Sequence, residues 1–196
     1  MKNTTHNLVQ EHWLSQLAYQ YQCHPLRLNC KKVIKDLFNE NPPQELLTAI
    51  DHFCMAALTE EYAWQQGSPA NALHLGRNIE LLMELAWLLY EKPGKTKATK
   101  TLPDHLRLPA TLLPMPLSTA EYGQPAIFLS CFFEYAPLHQ WKQWLSCFMD
   151  NAIGSGSVAE ELPGPDLLQF NLYLKKLVYA VYCIRIETKL NDQRSW

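Results

Sequence analysis

Glycine is scarce in this chain, with only 7 among 196 residues, and the glycine-rich loops that bind phosphate are missing. Neither a Gly-x-x-x-x-Gly-Lys-Ser/Thr loop nor the glycine-rich turn of a dinucleotide site occurs. The run Gly154–Ser157 does hold two glycines, but the acids Glu160 and Glu161 follow it and would repel a phosphate. The sequence therefore gives no support for nucleotide binding through these motifs.

The chain also lacks an excess of charge of either sign, because its 17 lysines and arginines nearly balance its 19 acids and leave a net charge of −2. Binders of nucleic acid or of anionic membranes carry a basic excess, so this balance argues against both classes. No uninterrupted apolar run is long enough to cross a bilayer, and the first residues lack the apolar core of a secretory signal. We therefore expect a cytoplasmic protein without a membrane span.

Cysteine occurs six times, but without the spacing of a metal site. Structural zinc sites combine one closely spaced cysteine pair with a second close pair of ligands. The nearest match, His52 with Cys54, falls on a predicted helix, where side chains two positions apart point in divergent directions. Cysteines inside apolar helical patterns behave as small hydrophobic residues. We expect reduced cysteines, no metal and no other cofactor.

Proline and glycine lie between periodic apolar segments and divide the chain into helices. Ser118 and Glu121 have the spacing of a capping box, which predicts a further short helix, and Asn41 and Ser68 each precede a proline as helix-capping residue types. We predict an all-α bundle of about six to eight helices, with Ala126–Phe133 as the one stretch that fits a strand instead. The predicted long helices are Leu8–Gln22, Leu26–Asn39, Pro43–Gln66, Pro69–Glu91, Ala126–Tyr135, Leu138–Ile153 and Asp166–Asn191.

A long segment with little regularity separates the two groups of helices. It starts with the lysine loop Lys92–Lys100, which has the composition of a solvated loop, and continues into a stretch rich in leucine and proline. We predict one domain over residues 1–196, with this segment as an irregular internal crossover. The alternative is two helical halves, residues 1–91 and 118–196, joined by residues 92–117.

The last predicted helix is apolar on almost every side, whereas a surface helix keeps one apolar stripe. We therefore place it at the centre of the bundle, together with the third helix. Asp51 and Glu61 project from the apolar arc of the third helix, and Arg185 projects from the last. A buried carboxylate needs a partner, so an ion pair between Arg185 and one acid is a hypothesis. The alternative is that the acids reach the edge of a groove.

The fourth predicted helix has a polar face opposite its apolar one. This pattern is typical of a solvated face with ion pairs inside the helix. We therefore predict that the whole face meets solvent. The residues on it are His74, Arg77, Glu80 and Glu84.

Aromatic residues are abundant, with 6 tryptophans and 9 tyrosines, and they anchor both cores and interfaces. Trp87 and Trp196 are the hardest to place in a core and are our candidates for partner binding. No catalytic residue can be assigned, so we predict a non-catalytic interaction or regulatory module whose partner is an unidentified protein or a second copy of the chain.

Two other classes stay open as alternatives. One is a helical enzyme with a site between helices that uses Asp51, Glu61 or Arg185. The other is weak nucleic-acid binding through Lys92–Lys100, although no aromatic residue interleaves with these lysines for base stacking.

Overall fold

A computed structural model describes residues 14–60, 64, 67–91 and 117–193, and for residues 185–193 it describes the backbone. Within these ranges the chain forms eight α-helices and no strand, which confirms the predicted all-α bundle of six to eight helices. The stretch Ala126–Phe133, which fitted a strand, is helical. The lysine loop and the rest of the crossover up to residue 116 lie outside the described residues.

The helix bounds follow the predicted pattern, with differences at the ends. The third helix ends at Leu58 rather than at Gln66, where Thr59 turns to an extended backbone and its N–H bonds to the Ala56 carbonyl. The helices are α1 Ser15–Tyr21, α2 Cys30–Glu40, α3 Pro43–Leu58, α4 Pro69–Glu91, α5 Thr119–Gly123, α6 Pro125–Tyr135, α7 Leu138–Ile153 and α8 Gly164–Gln193, with 3₁₀ turns at Pro25–Arg27 and Val158–Glu160.

Asn41 lies between α2 and α3 and caps the helix before it, so the prediction that it caps the next helix is wrong. The backbone N–H and the side-chain Nδ2 of Asn41 donate to the Leu37 carbonyl at 2.9 and 3.2 Å. These bonds satisfy a carbonyl that the end of a helix leaves open. Helix α3 starts after Pro42, which makes no side-chain cap.

Helix α8 lies at the centre of the bundle, as its all-round apolar sequence predicts. It packs against α2, α3, α4 and α6, and its side chains from Phe170 to Ile184 supply much of the core. Helix α4 shares this position, since it contacts α1, α2, α6, α7 and α8 and buries most of its length. Two helices on opposite sides of the crossover in sequence thus form one core.

An aromatic cluster joins α6, α7 and α8. The rings of Phe132 and Trp141 stack with centroids 4.1 Å apart, and Tyr173 and Phe170 flank the indole at 5.8 and 6.3 Å. The indole N–H of Trp141 donates to the Phe132 carbonyl at 3.1 Å, so the buried polar atom of the ring is satisfied.

The predicted capping box at the start of α5 is present and is extended by a lysine. The Ser118 N–H donates to Glu121 Oε2 at 2.7 Å, and the Glu121 N–H donates to Ser118 Oγ at 3.3 Å. Lys176 of α8 donates to both oxygens of Glu121 at 2.9 and 3.0 Å and lies 5.3 Å from the centre of the Phe128 ring. This buried carboxylate therefore ties the short helix to the central one.

The Glu121→Gln variant is expected to lose about 2 kcal/mol of stability at neutral pH, because the charge-assisted bonds to Lys176 are lost. Burial opposes ionisation, but the Ser118 N–H and Lys176 outweigh it and hold the pKa of Glu121 below its ordinary value. With a lowered folded-state pKa, this stabilisation is full above the unfolded-state pKa of about 4.3 and is lost as the pH falls through the folded-state pKa. Urea unfolding at pH 7 and at decreasing pH measures it.

The exposed acid Glu160 offers a matched control, because Glu160→Gln removes a charge that is not buried. We expect Glu160→Gln to change stability by less than about 0.5 kcal/mol at any pH. A Glu121→Gln deficit that keeps its size at low pH would contradict the assigned pKa direction.

Candidate functional site

Asp51 lies on the seam where α3 packs along α8, and its side chain is 48% exposed. It forms an ion pair with Lys175 and accepts a hydrogen bond from Asn171 Nδ2 at 3.3 Å. Asp51 is therefore half-exposed, with a lysine and an asparagine of α8 as its partners. Glu61 and the side chain of Arg185, the other members of the hypothetical pair, lie outside the described residues.

Helices α3 and α8 run antiparallel along this seam. Gln44 in the first turn of α3 lies near Tyr179, whereas Asp51, two turns later, bonds to Asn171. At the far end, Ser157 donates to the Leu58 carbonyl at 3.0 Å, shortly before α8 begins. The C-terminal end of α3 therefore lies beside the N-terminal end of α8.

Exposed apolar side chains of both helices lie on the face that carries the ion pair. Met55 and Leu58 follow Asp51 at helical spacing, and Leu168 and Leu172 precede Lys175 at the same spacing, so all four share the face of the ion pair. We call these four residues the apolar ridge. Their exposed fractions are 64% for Met55, 41% for Leu58, 77% for Leu168 and 43% for Leu172.

Single exposed apolar residues are ordinary on protein surfaces, but a group of them on one face marks a site of interaction. The ridge holds four of the large apolar side chains that are exposed among the described residues, and the Asp51–Lys175 pair is its polar feature. It can cover apolar surface of another molecule and offer one acidic and one basic group beside it.

The thiol beneath the ridge is chemically inert. Cys54 is buried between α3 and α8, and burial raises its pKa to about 12, against the smaller lowering effect of a hydrogen bond with Asn171. The thiolate is the nucleophilic form of cysteine, so at neutral pH this residue stays a protonated core side chain.

The polar face predicted for α4 is not solvated along its whole length, and the prediction is wrong for Glu84. The Glu84 side chain is 0% exposed, whereas Glu80, one turn earlier, is partly exposed. Helix α4 is covered by α1 and α7 at this point, so the polar face runs into the bundle. His74 and Arg77, nearer the start of the helix, are exposed as predicted.

Glu84 is buried together with its partners. Its carboxylate accepts hydrogen bonds from the backbone N–H groups of Gln16 and Leu17 at 3.0 and 2.7 Å, and it pairs with Lys142 Nζ at 2.6 Å. Lys142 also reaches Glu80 at 2.7 Å. Burial raises the pKa of Glu84, although Lys142 and the two N–H groups act in the opposite direction. The carboxylate from α4 thus caps the N-terminus of α1.

The partner-binding candidate Trp87 is half-buried in an aromatic group. Its ring packs edge-on against Phe133 with centroids 5.0 Å apart and lies 5.7 Å from the Tyr90 ring. Through these contacts the Trp87 ring takes part in the packing between α4 and α6. Trp196, the second candidate, lies outside the described residues.

The described residues hold neither a metal cluster nor a membrane-spanning helix. No group of three or more His, Cys, Asp or Glu side chains in those ranges could hold a metal ion. No described helix combines the length and apolar character needed to cross a bilayer.

Comparison of the whole chain with protein-family models, with curated proteins and with solved structures found no significant match.

Proposed function

We propose that this protein is a helical interaction module that binds an amphipathic helix of a partner protein on the apolar ridge of α3 and α8. The observation that carries the proposal is the grouping of four exposed apolar side chains on one face, with Leu168 at 77% and Met55 at 64% exposure. Leaving such side chains in water costs about 25 cal/mol for each Å² of apolar surface, which a bound partner recovers.

The arrangement of the ridge favours a helix as its occupant. Met55 and Leu58 form one short row on α3, Leu168 and Leu172 form another on α8, and the two helices pack side by side. An amphipathic helix presents apolar residues at positions i, i+3, i+4 and i+7, which can pack against two such rows. Asp51 and Lys175 can pair with charges on the flanks of that helix, and Met55 adapts its shape to the contact.

The contacts of Asp51 support this proposal over an enzyme that uses the same residue. A carboxylate half-exposed to water and paired with a surface lysine serves packing and recognition more readily than proton transfer. Binding of nucleic acid through Lys92–Lys100 draws on residues outside the described ranges, so the geometry adds nothing to it.

A photoreactive benzoylphenylalanine at position 168 tests the proposal in the cells that produce this protein. We expect irradiation to link the full chain to one partner protein, and mass spectrometry to find the link in a segment with amphipathic helical spacing. A synthetic peptide of that segment is expected to gain helical circular dichroism when it binds. The same photoreactive residue at Tyr19, an aromatic residue 73% exposed on α1, is the matched control.

A second substitution shows whether the ridge acts as a unit. Met55→Glu in the chain that carries the photoreactive residue at 168 is expected to lower the adduct at least about tenfold, since it buries a charge in the contact. Tyr19→Glu is expected to leave the adduct unchanged. Equal labelling from positions 168 and 19 would refute the proposal. An adduct of twice the chain mass would show that the ridge binds a second copy of the chain and not a partner helix.

A further inference from the structure

A cleft with polar and apolar lining opens at the other end of α3, between the end of α2 and the first half of α4. Its volume is about 730 Å³, and its described lining contains none of the ridge residues. Small-molecule sites commonly have volumes of about 300–1,000 Å³, so the cleft has the size of a ligand site. The polar groups around it are mostly amides: Asn41, Gln44, Asn71 and Asn78, together with Glu45 and His74.

A directional chain of hydrogen bonds fixes three of these side chains. The Leu37 carbonyl can only accept, so the Asn41 amide turns its Nδ2 toward it, at 3.2 Å, and its Oδ1 toward the cleft. Asn78 Nδ2 donates to that Oδ1 at 3.1 Å. The same Nδ2 lies 3.3 Å from His74 Nε2. Because an amide nitrogen offers only hydrogens, Nε2 accepts, and neutral His74 carries its hydrogen on Nδ1.

These hydrogen bonds leave one acceptor, on Asn78, and one donor, on the far side of the His74 ring. Asn78 is only 8% exposed and lines the cleft, and no described residue donates to its Oδ1. His74 is exposed, and its Nδ1–H likewise has no acceptor among the described residues. Since both side chains are held by the bonds that start at the Leu37 carbonyl, the two groups are preorganised for a ligand that donates at one point and accepts at another.

The remaining lining decides the charge of the ligand. None of the described residues around the cleft is a lysine or an arginine, while Glu45 adds a negative charge, so phosphates and carboxylates are disfavoured. Trp64, Leu46 and Leu75 supply apolar surface next to the amides. A neutral sugar meets all three conditions, because each hydroxyl both donates and accepts and one face of the ring is apolar. We infer that this cleft binds a neutral mono- or disaccharide.

Saturation-transfer NMR on the full chain tests the inference, with glucose, galactose, N-acetylglucosamine, maltose and lactose as probes at millimolar concentration. At least one of these sugars is expected to receive saturation. Sugar phosphates are not expected to compete with it. His74→Ala is expected to weaken its binding roughly tenfold, because a donor to the ligand is lost. Since His74 is exposed, this variant is expected to keep the unfolding midpoint of the parent chain.

His52→Ala is the matched control, since His52 is an exposed histidine of α3 that does not line the cleft. We expect it to leave sugar binding unchanged. The inference is overturned if no neutral sugar receives saturation, or if His74→Ala and His52→Ala affect binding equally. It is also overturned if adenosine or uridine gives the His74-dependent signal and no sugar does. Because the ridge lies elsewhere, these outcomes are independent of the photocrosslinking result.

Discussion

Replacing Glu84 with alanine is expected to lower the free energy of unfolding by about 3–5 kcal/mol, as for other buried ion pairs that lose one partner. The substitution removes the fully buried acidic partner of Lys142 and leaves the lysine paired with Glu80. It also leaves the N–H groups of Gln16 and Leu17 without their acceptor inside the packed bundle. Urea unfolding followed by circular dichroism measures the loss.

Two further variants separate the parts of this effect. Glu80→Ala removes the more exposed partner of Lys142 and is expected to cost less than about 1 kcal/mol. In the double variant Glu84→Ala/Lys142→Ala, the buried charge is gone together with its partner, so we expect less destabilisation than the sum of the single variants. Additive losses at Glu84 and Lys142 would show that the two side chains do not act as a pair.

The pH dependence of the same site follows from the raised pKa of Glu84. An acid whose pKa is higher in the folded state binds its proton more tightly there, so stability falls as pH rises from the unfolded-state value of about 4.3 through the folded-state value. Glu84→Gln removes this contribution. The stability of the parent chain relative to Glu84→Gln is therefore expected to decline with rising pH across that window, opposite in sign to the effect of Glu121.

The contrast between Glu121 and Glu84 shows what the sequence can predict. Ser118 and Glu121 are three residues apart, and the capping box they form is local, so its residue types and spacing suffice to predict it. The partners of Glu84 come from α1 and α7, 67 or more positions away for the backbone N–H groups and 58 for Lys142. Helical spacing places Glu84 on a polar face but cannot say that another helix covers that face.

A signal for the burial of Glu84 was nevertheless present. The segment Leu81–Leu89 is apolar apart from this one acid, and such a run indicates enclosure on all sides. The ridge offered no comparable signal, because α8 is apolar around most of its circumference. Nothing in that pattern distinguishes Leu168, which is exposed, from Phe170, which is fully buried. The difference depends on which sides α2, α3, α4 and α6 cover.

The sequence holds no indication of the cleft beside Asn41, for a similar reason. Its key groups, Asn41, Asn78 and His74, come from the end of α2 and from α4, and they are 37 and four positions apart along the chain. Asn41 looked like the N-cap of the following helix, a local role that many asparagines have. Its actual partner Leu37 is also local, but only the packing of α2 against α4 brings Asn78 to the other side of the amide.

Trp141→Ala is expected to destabilise the protein by about 3–5 kcal/mol, comparable to the loss at Glu84 but without its pH dependence. The indole is fully buried and stacks on Phe132 at 4.1 Å, so its removal opens a cavity where α6, α7 and α8 meet. Rings from three helices line that cavity and cannot all move in to fill it.

Trp141→Phe separates the ring from its N–H group. Phenylalanine keeps a ring against Phe132 and loses the hydrogen bond to the Phe132 carbonyl, so we expect a cost of about 1–2 kcal/mol. Leu138→Ala on the same helix truncates a smaller buried side chain and serves as the reference. We expect it to lower the free energy of unfolding by about 2–3 kcal/mol. If Trp141→Ala cost no more than Leu138→Ala in urea unfolding, the aromatic cluster would not be the structural centre of the second half of the chain. If Trp141→Phe cost as much as Trp141→Ala, the hydrogen bond rather than the stacked ring would hold α6 to α7.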